Sequence, residues 1–190
     1  MTTTLATTIG RGGTPSRRGF TLVELVVVMI IVAIVGATAI SAMASTQQTK
    51  QRVAVRMLVR DLQAARERAV SLGTPNFVRV YLSTELVDYL SGATFASALA
   101  LTETGSGLPL RTRLHTNSAD SLLHSVRIGT VAGATTPDPY IFGFDWLGRP
   151  TDSAGTLLTA DIPITITVPS YTTATVTVRA SSGAVTYTLP

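Results

Sequence analysis

Residues 20–44, FTLVELVVVMIIVAIVGATAISAMA, carry a single charged side chain, Glu24. A helix over this run would be about 37 Å long at about 1.5 Å per residue, enough to cross a hydrocarbon core of about 30 Å. Arg11, Arg17 and Arg18 precede the run, and no base follows it until Lys50. That asymmetry predicts a cytoplasmic leader and a C-terminal part on the far side of a membrane. Residues 1–19 are rich in Thr, Gly, Arg and Ser, show no apolar periodicity, and read as a disordered leader.

Three readings of this segment compete, and Glu24 separates them. An uncleaved signal anchor needs no carboxylate, although one in the first turn of a helix is favoured by the helix dipole. A secretory signal peptide would use the small-x-small pattern of Ala42-Met43-Ala44, but it would be far longer than the usual ~15 to 30 residues. In the third reading the chain is cut between Gly19 and Phe20. The freed α-amine then lies four residues from Glu24, and an amine of the same chain or of a neighbour can neutralise the carboxylate where it enters the bilayer.

The stretch RRGFTLVELVVVMIIVAIV resembles the class III leader and N-terminal helix of type IV pilins and type II secretion pseudopilins. The likeness lies in a basic leader ending in Gly19, then Phe20, Thr21, and a glutamate as the fifth residue after the glycine. The resemblance implies that a membrane prepilin peptidase cuts after Gly19 and methylates the amine of Phe20. It also implies that Glu24 pairs with the amine of an adjacent subunit during assembly. A 19-residue leader is long for a major pilin, and the start codon of the natural chain could lie downstream of Met1.

Beyond the apolar run the composition is ordinary. The chain has 190 residues, room for one domain with extensions. Three of its 15 bases stand before Phe20, leaving 12 against 11 acids. A nearly neutral remainder argues against a protein held to nucleic acid by bulk charge. With no cysteine there is no disulfide, thiolate metal site or cysteine nucleophile.

After STQQTK the pattern turns amphipathic. Val55, Leu58, Leu62, Ala65, Ala69 and Leu72 alternate steps of three and four, which sets one apolar stripe on a helix. The small Ala65 and Ala69 suit close packing on a sheet. Arg52, Arg56 and Arg60 stack on another, solvated face. Gly73 and Pro75 stop the helix.

The remainder reads as strands over residues 77–82, 110–115, 162–168, 174–180 and 184–189, with an aromatic strand over 140–150 that ends in a Gly-Arg-Pro turn, and a Ser-Ser-Gly turn at 181–183. Residues 82–108 read as a variable loop with a short helix around Phe95. The fold class is α+β: a long N-terminal helix packed on an antiparallel β-rich domain. The expected organisation is a cleaved leader (1–19), a transmembrane half-helix (20–44), an amphipathic half-helix (45–73) and a β-rich periplasmic domain (74–190).

LVRDLQAARERAVSLGTP, IFGFDWLGRP and the paired strands around RASSGAV are together similar to the GspH/FimT group, the H-type minor pseudopilins and related minor type IV pilins. This implies a structural subunit with no enzymatic activity and no cofactor. Its partners would be other pseudopilins or pilins, the prepilin peptidase and an inner-membrane assembly platform, and it would enter a periplasmic pseudopilus that exports folded proteins. A minor type IV pilin in adhesion, motility or DNA uptake is the nearest alternative, and a membrane-anchored periplasmic enzyme or binding domain the distant one.

No catalytic constellation stands out. His115 or His124 with Asp120 and Ser121 or Ser125 lack nucleophile-elbow spacing, and no local loop groups acids for a metal. Arg111, Arg113 and His115 alternate along one strand face and read as a solvated edge. No base follows Arg179, so a nucleic-acid partner is not expected.

Overall fold

The computed structural model describes residues 21–102, 106–114, 123–133, 135–169 and 171–190, without the side chains of residues 37–45. The chain divides into two compact units, Met1–Ser41 and Ala42–Pro190. Helix α1, Leu22–Leu72, contributes to both.

Apart from Thr21 and Glu24, the described side chains of the first unit are apolar or small, and its large apolar ones are exposed, Leu22 at 79% and Val35 at 60% among them. They carry no covering layer of their own. Among the described residues no helix is long and apolar enough to cross a membrane. Residues 22–36 span only about 22 Å at about 1.5 Å per residue, and the rest of the expected span lies outside the described side chains.

In the second unit α1 buries one face. Ala54, Val55, Leu58, Leu62, Ala65 and Ala69 are fully enclosed and Val59 nearly so. Each buried Leu contributes about 1.5 to 3 kcal/mol relative to exposure. The stripe expected from the sequence stops one turn early: Leu72 is 63% exposed. It is the last helical residue, lying beyond the last side chain that meets the core. Gly73 follows at φ +62°, the left-handed cap that ends the helix. Arg52, Arg56 and Arg60 are exposed, as their spacing predicts.

Among the described residues ten strands form two antiparallel sheets. They are β1 (Asn76–Tyr81), β2 (Leu86–Ser91), β3 (Leu99–Ala100), β4 (Arg111–Arg113), β5 (Arg127–Val131), β6 (Tyr140–Phe144), β7 (Pro150–Thr151), β8 (Ile162–Thr167), β9 (Ala174–Val178) and β10 (Val185–Thr188). The first sheet runs β3-β2-β1-β6-β7, with β4 also on β2, and the second runs β10-β9-β8-β5. The inward residues of both sheets join the α1 stripe in one hydrophobic core that includes Val78, Tyr89, Phe142, Ile164 and Val176. The strict alternation of β8 and β9, buried at every second residue, is the signature of strands with one wet face.

Residues 82–108, expected to be loop, contain β2 and β3 as well as the anticipated short helix, a 3-10 turn at Phe95–Ser97. Strand β2 escapes a pattern reading because both its faces are covered. Val87 and Tyr89 face the core, while Asp88 is also buried. Asp88 is directly paired with Arg79 on β1 and Arg111 on β4, and its carboxylate lies 2.9 Å from Arg79 and 3.0 Å from Arg111. Arg111 is therefore not a bare solvated edge residue: it closes a three-strand charge ladder. Arg113 remains exposed, and His115 lies outside the described residues.

Candidate assembly site

The first described hydrogen bonds of the chain belong to the start of α1. Thr21 is the last residue before the helix, and its hydroxyl accepts the backbone N–H of Glu24 at 3.2 Å. The Thr21 carbonyl takes the N–H of Leu25 at 3.2 Å, the first turn of the helical ladder. Thr21 is thus the N-cap and Glu24 the third helical residue, the spacing of a capping box. Glu24 is exposed, and its carboxylate sits where the helix dipole favours negative charge. Gly19 and Phe20 lie outside the described residues.

This arrangement narrows what the Glu24 carboxylate can do. With Thr21 at the cap, the described helix begins at Leu22 and Glu24 stands in its first turn. Its side chain is exposed, where a cation can reach the carboxylate.

In the second unit, polar side chains of α1 tie it to elements distant in sequence. Gln51 donates to the carbonyl of Ile166 on β8 and to that of Thr172, which lies between β8 and β9. Arg66 donates from Nε to the Gly148 carbonyl at 3.1 Å and from Nη2 to the Ser182 carbonyl at 3.0 Å. The three segments that carry the GspH/FimT resemblance therefore meet at one guanidinium. Gly148 and Gly183 have φ of +77° and +66°, so glycine is needed at both turns.

Asp61 is the buried acid of the helix. The Thr112 hydroxyl donates to Asp61 Oδ2 at 2.6 Å, and Tyr89 Oη lies 3.0 Å from Thr112 Oγ1. Thr112 has one proton and gives it to Asp61, so Tyr89 is the donor to Thr112. Burial, reinforced by the nearby Asp61 carboxylate, pushes the Tyr89 hydroxyl far above its ordinary range, and it stays protonated. Arg60 completes the relay with a 2.8 Å bond to Asp61 Oδ1. Sequence reading missed this group because its members stand on α1, β2 and β4.

The imagined triad gains no geometry. His115, Asp120 and Ser121 lie outside the described residues, and the Ser125 hydroxyl accepts a bond from Lys50 Nζ at 3.4 Å.

Comparison with known proteins adds two findings at different scales. The prokaryotic N-terminal methylation motif matches residues 14–40. No curated protein matches the chain by sequence. Among solved structures, one of the minor pseudopilin EpsH from the type 2 secretion system of Vibrio cholerae matches with TM-score 0.53 at 12% identity, covering 74% of this chain and 98% of that one. A second structure of the same Vibrio cholerae protein matches with TM-score 0.53 at 13% identity, covering 75% and 96%. At such identity the likeness is one of fold. The chain thus joins a prokaryotic N-terminal methylation motif to the fold of a minor pseudopilin.

Proposed function

We propose that this protein is a minor pseudopilin, a structural subunit of a type II secretion pseudopilus that takes part in export of folded proteins. The observation that carries the reading is the start of α1: a threonine-capped helix with a lone exposed carboxylate in its first turn, inside a methylation motif. In this reading prepilin peptidase cuts after Gly19 and the amine of Phe20 is methylated. The apolar half of α1 holds the subunit in the inner membrane with the second unit in the periplasm. Glu24 then neutralises the Phe20 amine of a neighbouring subunit as the helix leaves the bilayer, where an unpaired charge is expensive. The other pseudopilins and the assembly platform are its partners.

The test is the N-terminal residue and intact mass of the chain from membranes of its native host. A methylated chain beginning at Phe20 supports the proposal. A chain beginning at Ser45 means a secreted domain, and one still beginning at Met1 means a plain anchor. Glu24→Ala should insert and be cleaved normally yet fail to enter the filament; normal assembly of that variant would overturn the role given to Glu24.

A further inference from the structure

The sheet edges of the second unit are not alike. At one end of the first sheet, β3 and β4 are two and three residues long, and Arg111 and Arg113 stand on β4. At its other end β7 has two residues and begins with Pro150. On the second sheet, edge strand β5 carries Arg127 and is broken by a register shift between Ile128 and Val131. Short strands, charge, proline and bulges are the usual means of keeping an edge from pairing with another chain. Strand β10, the remaining edge among the described residues, is four residues long but carries no charge, proline or bulge.

Thr186, Tyr187 and Thr188 are all exposed, and no charged residue occurs from 180 to 190. The hairpin also fixes which backbone groups face outward. The Arg179 N–H donates to the Ala184 carbonyl at 2.9 Å, and β10 pairs Val185 with Val178 and Thr186 with Thr177. In an antiparallel ladder bonded and non-bonded pairs alternate. Thr186 and Thr188 therefore turn their N–H and C=O groups toward β9, and Tyr187 turns both of its groups to the open edge.

We propose that β10 pairs with β10 of a second copy of this chain, antiparallel about a two-fold axis at Tyr187. The sequence of the strand is self-complementary in that register. Tyr187 faces its equivalent and exchanges both backbone bonds with it, while Thr186 faces Thr188 of the other copy. Aromatic pairs and Thr–Thr pairs are both favourable across strands, no like charges meet, and the two four-stranded sheets become one. A two-fold contact requires a patch that fits itself, and this one does. The inference stands on β10 alone and is independent of the function proposed above.

The test uses the full chain in membranes. Because the protein has no cysteine, Tyr187→Cys introduces a single thiol. Facing residues of a bonded antiparallel pair have Cα atoms about 5.5 Å apart, within disulfide range. Mild oxidation should link two copies through position 187, and Ser153→Cys, an exposed site away from β10, should link at least tenfold less. Adding Thr186→Lys and Thr188→Lys puts ammonium groups opposite one another and should reduce the link at least tenfold. Equal linking at both sites, or linking that survives the lysines, would overturn the proposal. A photoreactive benzoylphenylalanine at position 187 reports any neighbour. A homodimer adduct supports the proposal, and an adduct to a different protein, or none, overturns it.

Discussion

A β-carbon added to Gly183 would lie 1.9 Å from the carbonyl oxygen of Gly148, with Arg66 Nε 3.1 Å away. Two turns separated widely in sequence are held closer than any side chain allows, and the guanidinium of α1 bonds to both.

Gly183→Ala therefore meets a backbone clash in addition to a strained φ of +66°. It should destabilise the fold by about 3 kcal/mol. Gly148→Ala, also strained at φ +77°, meets Arg66 Nε and Val70 Cγ2, each at 3.0 Å, and should cost about 1 to 2 kcal/mol, and Gly73→Ala, with φ +62° and open space, about 1 kcal/mol. Urea unfolding of the full chain in detergent, followed by tryptophan fluorescence, should rank them in that order. Equal losses at Gly73 and Gly183 would remove the clash from the account.

Thr112→Val keeps the shape of the side chain and breaks the relay between Tyr89 and Asp61. It strands a buried hydroxyl and one oxygen of a buried carboxylate, and should cost about 2 kcal/mol or more. Adding Tyr89→Phe removes one stranded group, so the double variant should be no less stable than Thr112→Val alone. Additive losses in this double-mutant cycle would show that the two hydroxyls do not act through one another.

The pH dependence has a definite sign. The Ser83 hydroxyl holds Asp138 below the ordinary aspartate value; desolvation, next in size, opposes it, and the Leu82 and Ser83 amides add to the lowering. The Ala180 amide, and then Arg179, do the same for Asp161. A carboxylate lowered in the folded state contributes stability that is complete above the unfolded value of 3.8 and disappears as pH falls through the folded value. Melting temperature should thus be flat from pH 7 to about 5 and fall below about 4. Asp138→Asn with Asp161→Asn should flatten that acid limb; an unchanged limb would place the acid sensitivity elsewhere.

Thr21→Ala removes the side-chain cap of the α1 start while leaving the Glu24 carboxylate in place. Loss of an N-cap costs about 1 kcal/mol, so amide exchange at Glu24 in detergent should quicken about fivefold, with Thr21→Ser close to wild type. An unchanged exchange rate would mean that the cap does not hold the first turn.

How far these features could be read in advance depended on whether their cause was local. The core stripe from Val55 to Ala69, the Gly73 stop and strands β8 and β9 follow from periods of 3.6 and 2, and the structure has them. Strand β2 was hidden because the buried Asp88 breaks its apolar run, and only its partners Arg79 and Arg111 explain why a carboxylate can stand there. Strand β5, with Gly129 in its middle, is too short and too mixed to show a period. The segment LVRDLQAARERAVSLGTP carried part of the family resemblance and includes Arg66. Its carbonyl partners lie 82 and 116 residues away and had no local signal. At the assembly site, Glu24 was legible as the single charge of the apolar run, but the Thr21 cap that sets where the helix begins came only with the backbone.

The polar ties of α1 also determine how the second unit carries load. Gln51, Asp61 and Arg66 grip three levels of the helix, and each grips a different strand or turn. A pull along the helix axis would strain these bonds in parallel and in shear, so they would share the force and yield together. A pull across the axis would reach them one after another, as a zipper does. The second unit is thus built like a lap joint, strong in the direction in which its own helix points.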